Sequence, residues 1–294
     1  MTEANDNMPL TALGGLPLLS GQARVAAVIG WPISHSRSPR LHGYWLREYA
    51  IDGAYVPLAV PPEAVEQALR ALPALGFVGA NVTLPHKEAA ARVCETLTDR
   101  ARRIGAVNTL VVRDGVLHGD NTDGYGFIEN LRQQVPNWRA ANGPAFVLGS
   151  GGSARAVCAA LLEAGAREVR LLNRTLSRAE AIAEALGPAI RCAPLSECSR
   201  AMADAALLVN TTSLGMTGQP PLDLDLEPLP NDAVVTDLVY APLETTLLAM
   251  ARDRGNPVVD GLGMLLHQAR PGFKAWFGQD PEVTDTLRQV VLND

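Results

Sequence analysis

A chain of 294 residues with 47% hydrophobic and 19% charged side chains can bury two cores, each that of a soluble globular domain. A net charge of −6 and a pI near 5.4, with no basic stripe, argue against a nucleic-acid partner. No run approaches the ~20 apolar residues that cross a bilayer, and MTEANDNMPLTALGG lacks the basic start and apolar core of a secretory signal, so no membrane role and a cytoplasmic location are expected.

Residues 1–23 read as a polar, glycine-containing tail. From Arg24 on, strand-like runs alternate with amphipathic helices: RVAAVIG, SPRLHGYWLREYA, AYVPLAV, PPEAVEQALRAL and GFVGANVTL. This βαβα rhythm predicts a mainly parallel sheet covered by helices on both faces. In HSRSP, Ser38 before Pro39 suits a helix N-cap, whereas Ser36 has no such structural role. Two hydroxyls two residues apart on a loop after a strand suit recognition of a carboxylate or a polyol. Pro85 ends the GFVGANVTL strand and suits the first position of a helix over PHKEAAARVCETL, residues 85–97. Lys87 then sits in the first turn, where the positive end of the macrodipole disfavours a cation. That position is wrong for stability and right for neutralising an oxyanion.

VNTLVVRDGVLHGDN predicts a hairpin turning at Asp114-Gly115, a pair favoured in two-residue turns. Asn108 stands at its start. Asp123 stands where the hairpin gives way to a bridging helix, DGYGFIENLRQQ, and reads equally as that helix's N-cap or early-turn acid. Ligands of open α/β sheets bind beyond the carboxyl ends of the strands, where Ser36, Thr83 and Lys87 fall.

A second α/β unit starts at Ala145. AFVLGSGGSARAV places Gly149, Gly151 and Ala154 as G-x-G-x-x-A after a strand and opening a helix, the pattern that cradles a dinucleotide pyrophosphate. The next strand, EVRLL, is followed by Asn173, Arg174 and Thr175, with Arg178 one turn on, and by no carboxylate. Two guanidiniums in place of an acid favour a 2′-phosphate, hence NADP over NAD. Further strands (AIRCAPL, ALLVNTT, AVVTDLVY, PVVDG) follow, and GMLLHQARPGFKAWFG and PEVTDTLRQVVL read as closing helices. Cys94, Cys158, Cys192 and Cys198 form no CxxC pair and have no histidine at metal spacing, so reduced thiols and no metal are expected.

HSRSP, GANVTLPHK, IGAVNT, GDNTDG, GSGGSARA, NRTLSR, NTTSLGM, DLVYAP and DGLGMLLHQA occur in the order and spacing of shikimate dehydrogenases, and the chain resembles that family from about residue 24 to about residue 280. NVTLPHK and GDNTDG are not generic dinucleotide-fold features. The resemblance implies NADPH-dependent reduction of 3-dehydroshikimate to shikimate on a two-domain α/β fold. Residues 24–124 would form a substrate domain, completed by C-terminal helices within 264–294 that pack back on it. Residues 125–263 would form a Rossmann NADP domain. Carried over by position, Ser36 and Ser38 would hold the substrate carboxylate, while Asn81, Thr83, Lys87, Asn108 and Asp123 would hold its ring oxygens, with Tyr240 and Gln268 lining the same cleft. Gly149, Ser150, Gly151, Gly152, Ser153 and Ala154, with Asn173, Arg174, Thr175 and Arg178, would hold NADP. Thr211, Thr212, Ser213, Gly261 and Met264 would lie near its nicotinamide half. Ser150, alanine in many members, is the one small departure. Lys87 is the expected acid in reduction and base in reverse, with Asp123 orienting it, and closure is expected about Asn121–Tyr125 and Gly261–Met264. The competing readings are a quinate/shikimate enzyme using NAD or a wider substrate range, and a non-catalytic NADP-binding regulator. Monomer and homodimer both remain open.

Overall fold

The computed structural model describes residues 19–293; residues 1–18 of the expected tail lie outside them. Six strands, β1 (Arg24–Gly30), β2 (Gly53–Ala59), β3 (Phe77–Val82), β4 (Thr96–Leu97), β5 (Thr109–Arg113) and β6 (Val116–Asp120), form the first sheet, in the order β2-β1-β3-β5-β6-β4. β1 runs parallel to β2 and β3, and β4 parallel to β6; β5 is antiparallel to both its neighbours. The sheet is therefore mainly parallel, with the expected hairpin set into it. Asp114 and Gly115 at its tip have φ of 51° and 76°, the two left-handed residues of a type I′ turn.

Helices α1 (Ser38–Glu48), α2 (Val65–Ala71), α3 (Lys87–Val93) and α4 (Asp99–Ile104) connect these strands. One expected helix is shorter than its sequence suggested. The run from 85 to 97 is helical only over α3: Cys94 turns extended, and Thr96 and Leu97 pair with His118 and Gly119. The reason is non-local, because β6 offers an open edge to a Thr-Leu-Thr stretch of good strand propensity. Thr98 then caps α4, accepting from the Ala101 N–H at 3.3 Å.

After α5 (Asp123–Gln134) the second sheet is built from β7 (Ala145–Leu148), β8 (Val169–Leu172), β9 (Ile190–Ala193), β10 (Leu207–Asn210), β11 (Val234–Asp237) and β12 (Val258–Val259). Its order is β12-β11-β10-β7-β8-β9 and every pair is parallel. Helices α6 (Gly152–Glu163), α7 (Leu176–Leu186), α8 (Cys198–Met202) and α9 (Thr246–Asp253) cover it. This is a doubly wound sheet, with its strand order reversing at β7.

The chain then returns. α10 (Leu262–Phe277) and α11 (Asp285–Leu292) pack on the first half, as expected, with α10 lying against α5, α1, β3 and β5. Leu262, Leu266, Ala269, Phe273 and Trp276 recur at helical spacing on one buried stripe of α10. They join Trp45, Leu41 and Val28 in a single core, each large side chain contributing about 1.5–3 kcal/mol by burial. Trp276 also donates its indole N–H to the Leu110 carbonyl at 2.8 Å, which fixes the angle at which α10 crosses the sheet.

Candidate active site

A cleft of about 230 Å³ opens between the halves, at the carboxyl ends of β1 and β3 and the amino ends of α3 and α5. Ser36, Ser38, Asn81, Thr83, Lys87, Asn108, Asp123, Tyr240 and Gln268 all line it, together with Ser153, Gly261 and Met264 from the expected cofactor set.

At the serine end the expected N-cap role of Ser38 is corrected: Arg37 is the N-cap. α1 begins at Ser38 itself, so Ser38 is already helical and its side chain makes no capping bond. It is the Ser36 hydroxyl that accepts from the Ser38 backbone N–H, at 3.3 Å. An N-cap needs an extended residue just outside the helix, and the chain enters α1 through Arg37, which is not extended.

At the other end, the residues Thr83 to His86 close a turn, with the His86 N–H on the Thr83 carbonyl at 2.9 Å. The expected helical position of Pro85 is therefore corrected: α3 starts two residues later, on Lys87. Lys87 donates to Asp123 Oδ2 at 2.5 Å, with the side chains 21% and 10% exposed. Asp123 is the first residue of α5 and Thr122, not Asp123, is its N-cap. The carboxylate spends nothing on that helix's donors. Its second oxygen accepts from Asn108 Nδ2 at 2.6 Å, and the same nitrogen reaches Gln268 Oε1 at 3.2 Å. The Asn108 carbonyl oxygen Oδ1 is held by the Thr122 N–H at 2.8 Å and the Thr109 hydroxyl at 2.9 Å. An ammonium and an amide thus share one carboxylate at the amino ends of two helices, and the partial positive charge of those ends favours an oxyanion forming beside Lys87.

Tyr240 follows β11 and reaches the cleft beneath Arg37, whose guanidinium lies 5.7 Å from the ring centroid. Burial pushes the Tyr240 phenol up in pKa, with Arg37 pulling weakly the other way.

The glycine-rich loop is built as its spacing requires. Gly149 has φ of 106°, and a Cβ there would stand 2.6 Å from Thr211 Oγ1. Around Gly151 and Gly152 a Cβ would meet nothing within 4 Å, which leaves the backbone N–H groups at the start of α6 open to a pyrophosphate. Ala154 is fully buried and lets α6 pack on the sheet. Beyond β8, Arg174, Thr175 and Arg178 are exposed and Asn173 donates to the Thr175 carbonyl at 2.9 Å. No carboxylate stands in this turn, and two guanidiniums flank it, so the residues fit a 2′-phosphorylated dinucleotide. Thr211 donates to the Leu148 carbonyl at 2.5 Å and Thr212 to Asn210 Oδ1 at 2.7 Å, with exposed Ser213 next to them. Among the described residues no group of His, Cys, Asp or Glu is placed to hold a metal, and no helix is long and apolar enough to cross a membrane.

Sequence reasoning missed the residues that hold these. Tyr55 donates to Asn81 Oδ1 at 2.6 Å, and Asn81 Nδ2 donates to the Asn108 carbonyl at 3.1 Å and to Thr109 at 3.3 Å. Asp237, raised in pKa by burial, accepts from Val239 N–H, Thr245 and Asn210, and so ties the loop of Thr211 to that of Tyr240. Thr109, Thr122 and Asp237 stood inside motifs already singled out, Asp237 as the first residue of DLVYAP; Tyr55 carried no signal beyond a polar tip in an apolar strand.

Family comparisons agree with this geometry. Residues 28–110 match a model described as the shikimate dehydrogenase substrate binding domain, 130–216 one described as shikimate/quinate 5-dehydrogenase, and 261–292 one described as the shikimate 5′-dehydrogenase C-terminal domain. A Rhodospirillum rubrum protein named shikimate dehydrogenase (NADP(+)) is 65% identical over 280 residues, spanning 94% of this chain and 99% of that one. The chain belongs to the shikimate dehydrogenase family. Its fold is the family's: a shikimate 5-dehydrogenase from Thermus thermophilus, solved in complex with NADP(H) and shikimate, superposes with a TM-score of 0.82 at 38% identity, covering 91% of this chain and 98% of that one. A quinate dehydrogenase from Corynebacterium glutamicum, solved in complex with NAD, superposes with a TM-score of 0.85 at 30% identity, covering 92% and 99%.

Proposed function

We infer that the chain is an NADP-dependent shikimate dehydrogenase, an oxidoreductase that reversibly reduces 3-dehydroshikimate to shikimate on the route to aromatic amino acids. The observation that carries this reading is the Lys87–Asp123–Asn108 group, joined by bonds of 2.5 and 2.6 Å, in a cleft that also takes in Ser153 of the glycine-rich loop. Substrate is assigned to residues 24–124 with 264–294, and cofactor to 125–263.

When bound, NADPH supplies the hydride. Lys87 does the rest of the work at the substrate oxygen: its ammonium neutralises charge developing there and gives up a proton, and in oxidation the amine takes one back. Asp123 holds the Lys87 Nζ in place and accepts from a substrate hydroxyl. Asn108, Thr83 and Gln268 orient the ring hydroxyls. Asn81 has one lone pair left on Oδ1 after its bonds to protein, and contributes that and its hold on Asn108. Ser36 and Ser38 take the carboxylate, with Tyr240 covering that end. On the cofactor side the loop Gly149–Ala154 receives the pyrophosphate and Asn173, Arg174, Thr175 and Arg178 the 2′-phosphate. Thr211, Thr212, Ser213, Gly261 and Met264 bound the nicotinamide half.

Closure of the halves about Asn121–Tyr125 and Gly261–Met264 completes the site and excludes water. The assembly is a monomer or a homodimer. Reduced thiols and a pyridine nucleotide imply the cytoplasm. The two arginines after β8 favour NADP over NAD. The test is initial rates on shikimate and on quinate, each with NADP and with NAD. NADP-dependent oxidation of shikimate above the other three is expected, and its absence refutes the reading.

A further inference from the structure

A buried polar side chain beside the cleft has no role in the mechanism. Tyr55 lies on β2, an edge strand, yet it is only 8% exposed, and its ring stacks on His42 with centroids 3.9 Å apart and planes 12° from parallel. Burial drives its pKa well above the usual phenol value, with the Ser38 hydroxyl pulling the other way, so the phenol keeps its proton at any working pH. That proton goes to Asn81 Oδ1, at 2.6 Å.

An asparagine amide can be turned end for end with little change of shape, and what it donates to depends on which way it faces. The Asn108 main-chain carbonyl can only accept, so Asn81 Nδ2 faces it and Thr109 Oγ1, and the phenol, donating to Oδ1, holds the other end of the amide in the same sense. Thr109, engaged as acceptor, then gives its own proton to Asn108 Oδ1 at 2.9 Å. This leaves Asn108 Nδ2 pointing at Asp123 and Gln268. The bonds run in one consistent direction, with the Thr122 N–H also holding Asn108 Oδ1 at 2.8 Å, and the chain ends on the carboxylate that holds Lys87.

We propose that Tyr55 is a positioning residue for the reaction: its hydroxyl anchors the Asn81 amide and, through Thr109 and Asn108, steadies Asp123 and Gln268 toward substrate. The inference rests on the shikimate dehydrogenase reading and deepens it. It also ties the serine end of the cleft to the reacting end, since the same phenol neighbours Ser38.

Tyr55→Phe keeps the ring and its stack on His42 and removes only the hydroxyl. Loss of one buried donor from a polar chain predicts about a tenfold fall in kcat/KM for shikimate, with the KM for NADP unchanged. Adding Tyr55→Phe to Asn81→Ala should then cost nothing further, because the residue it acts through is gone. A purely structural role would instead lower both substrates' kinetics alike and add to Asn81→Ala. Either result overturns the proposal, as does unaltered kcat/KM in Tyr55→Phe. Should Tyr55→Phe fold poorly, Thr109→Val breaks the chain one step later with Tyr55 intact. The same shikimate-selective loss is expected, and unchanged kinetics there overturn the proposal equally. Wild-type protein run in parallel separates the two questions: no oxidation of shikimate by the wild type refutes the functional reading itself, whereas an active wild type with an indifferent Tyr55→Phe refutes only the role of Tyr55.

Discussion

Replacing Lys87 by methionine isolates the charge at the centre of the site while roughly preserving side-chain volume. The loss of a positioned proton donor predicts a fall in kcat of ~10²–10⁴-fold, or about 3–5 kcal/mol of transition-state stabilisation. The effect on folding should be far smaller. Lys87 and Asp123 form a close pair, with side chains 21% and 10% exposed. Breaking a fully buried pair costs about 3–5 kcal/mol and an exposed one about 0–1. A partly wetted pair lies between, near 1–2 kcal/mol, because Asp123 keeps the Asn108 amide at 2.6 Å. Against that stands the relief of removing a cation from the first turn of α3, about 0.3–1 kcal/mol. The net is about 1 kcal/mol, which in a chain of this size moves the thermal midpoint by only about 2–4 °C. Initial rates followed by NADPH absorbance give kcat, NADPH fluorescence titration gives cofactor affinity, and calorimetry gives the midpoint. A variant whose kcat stays within tenfold of wild type, with folding intact, would refute the assignment of Lys87 as proton donor.

Three other outcomes follow from the same geometry. His42 is fully buried among Trp45, Tyr55 and Phe273, and burial lowers its pKa from 6.5 to about 3, with neighbouring Asn81 pulling the other way. The unfolded chain therefore binds an extra proton between these values. Its contribution is intact above pH 6.5 and drains as pH falls, reaching about 2 kcal/mol lost at pH 5; urea unfolding of wild type and His42→Phe at pH 7 and 5 should show a shallower loss in the variant, and equal slopes would refute it. Arg174→Ala with Arg178→Ala should raise the KM for NADP about 10–100-fold, the worth of a charge-assisted contact, and leave the KM for NAD within a few-fold; parallel changes for both nucleotides would contradict a 2′-phosphate site. Gly149→Ala puts a Cβ 2.6 Å from Thr211 Oγ1 at a φ of 106°, and should cost about 1–3 kcal/mol in thermal unfolding and weaken NADP binding, whereas an unchanged midpoint would mean the loop carries no such constraint.

What the sequence determined by itself was whatever depends on neighbours in the chain. The alternation of strand and helix, the Asp114-Gly115 turn and the Gly149–Ala154 loop are all set by propensity and spacing within about ten residues, and the structure contains each of them. Lys87 in a first turn was legible for the same reason. Where local signals were followed and a distant partner intervened, the reading slipped. Thr96 and Leu97 left a helical run because β6 offered hydrogen bonds, and Ser38 became the first helical residue, its N–H on the Ser36 hydroxyl, with Arg37 in the N-cap position.

The site belongs to the second class. Asn108 lies 15 residues from Asp123, Lys87 lies 36 from it, and Gln268 lies 160 from Asn108, so their meeting is a property of two sheets and a returning helix. Tyr55 was invisible, and the task of Asp237 at the head of DLVYAP unreadable, for a related reason: each is one polar group in an apolar strand, and its task is defined by which amide or loop the fold brings within 3 Å. Residue types announce which chemistry is available. Hydrogen-bond direction, and with it which asparagine touches substrate and which holds its neighbour, exists only once the packed interior has excluded the water that would otherwise satisfy every one of them.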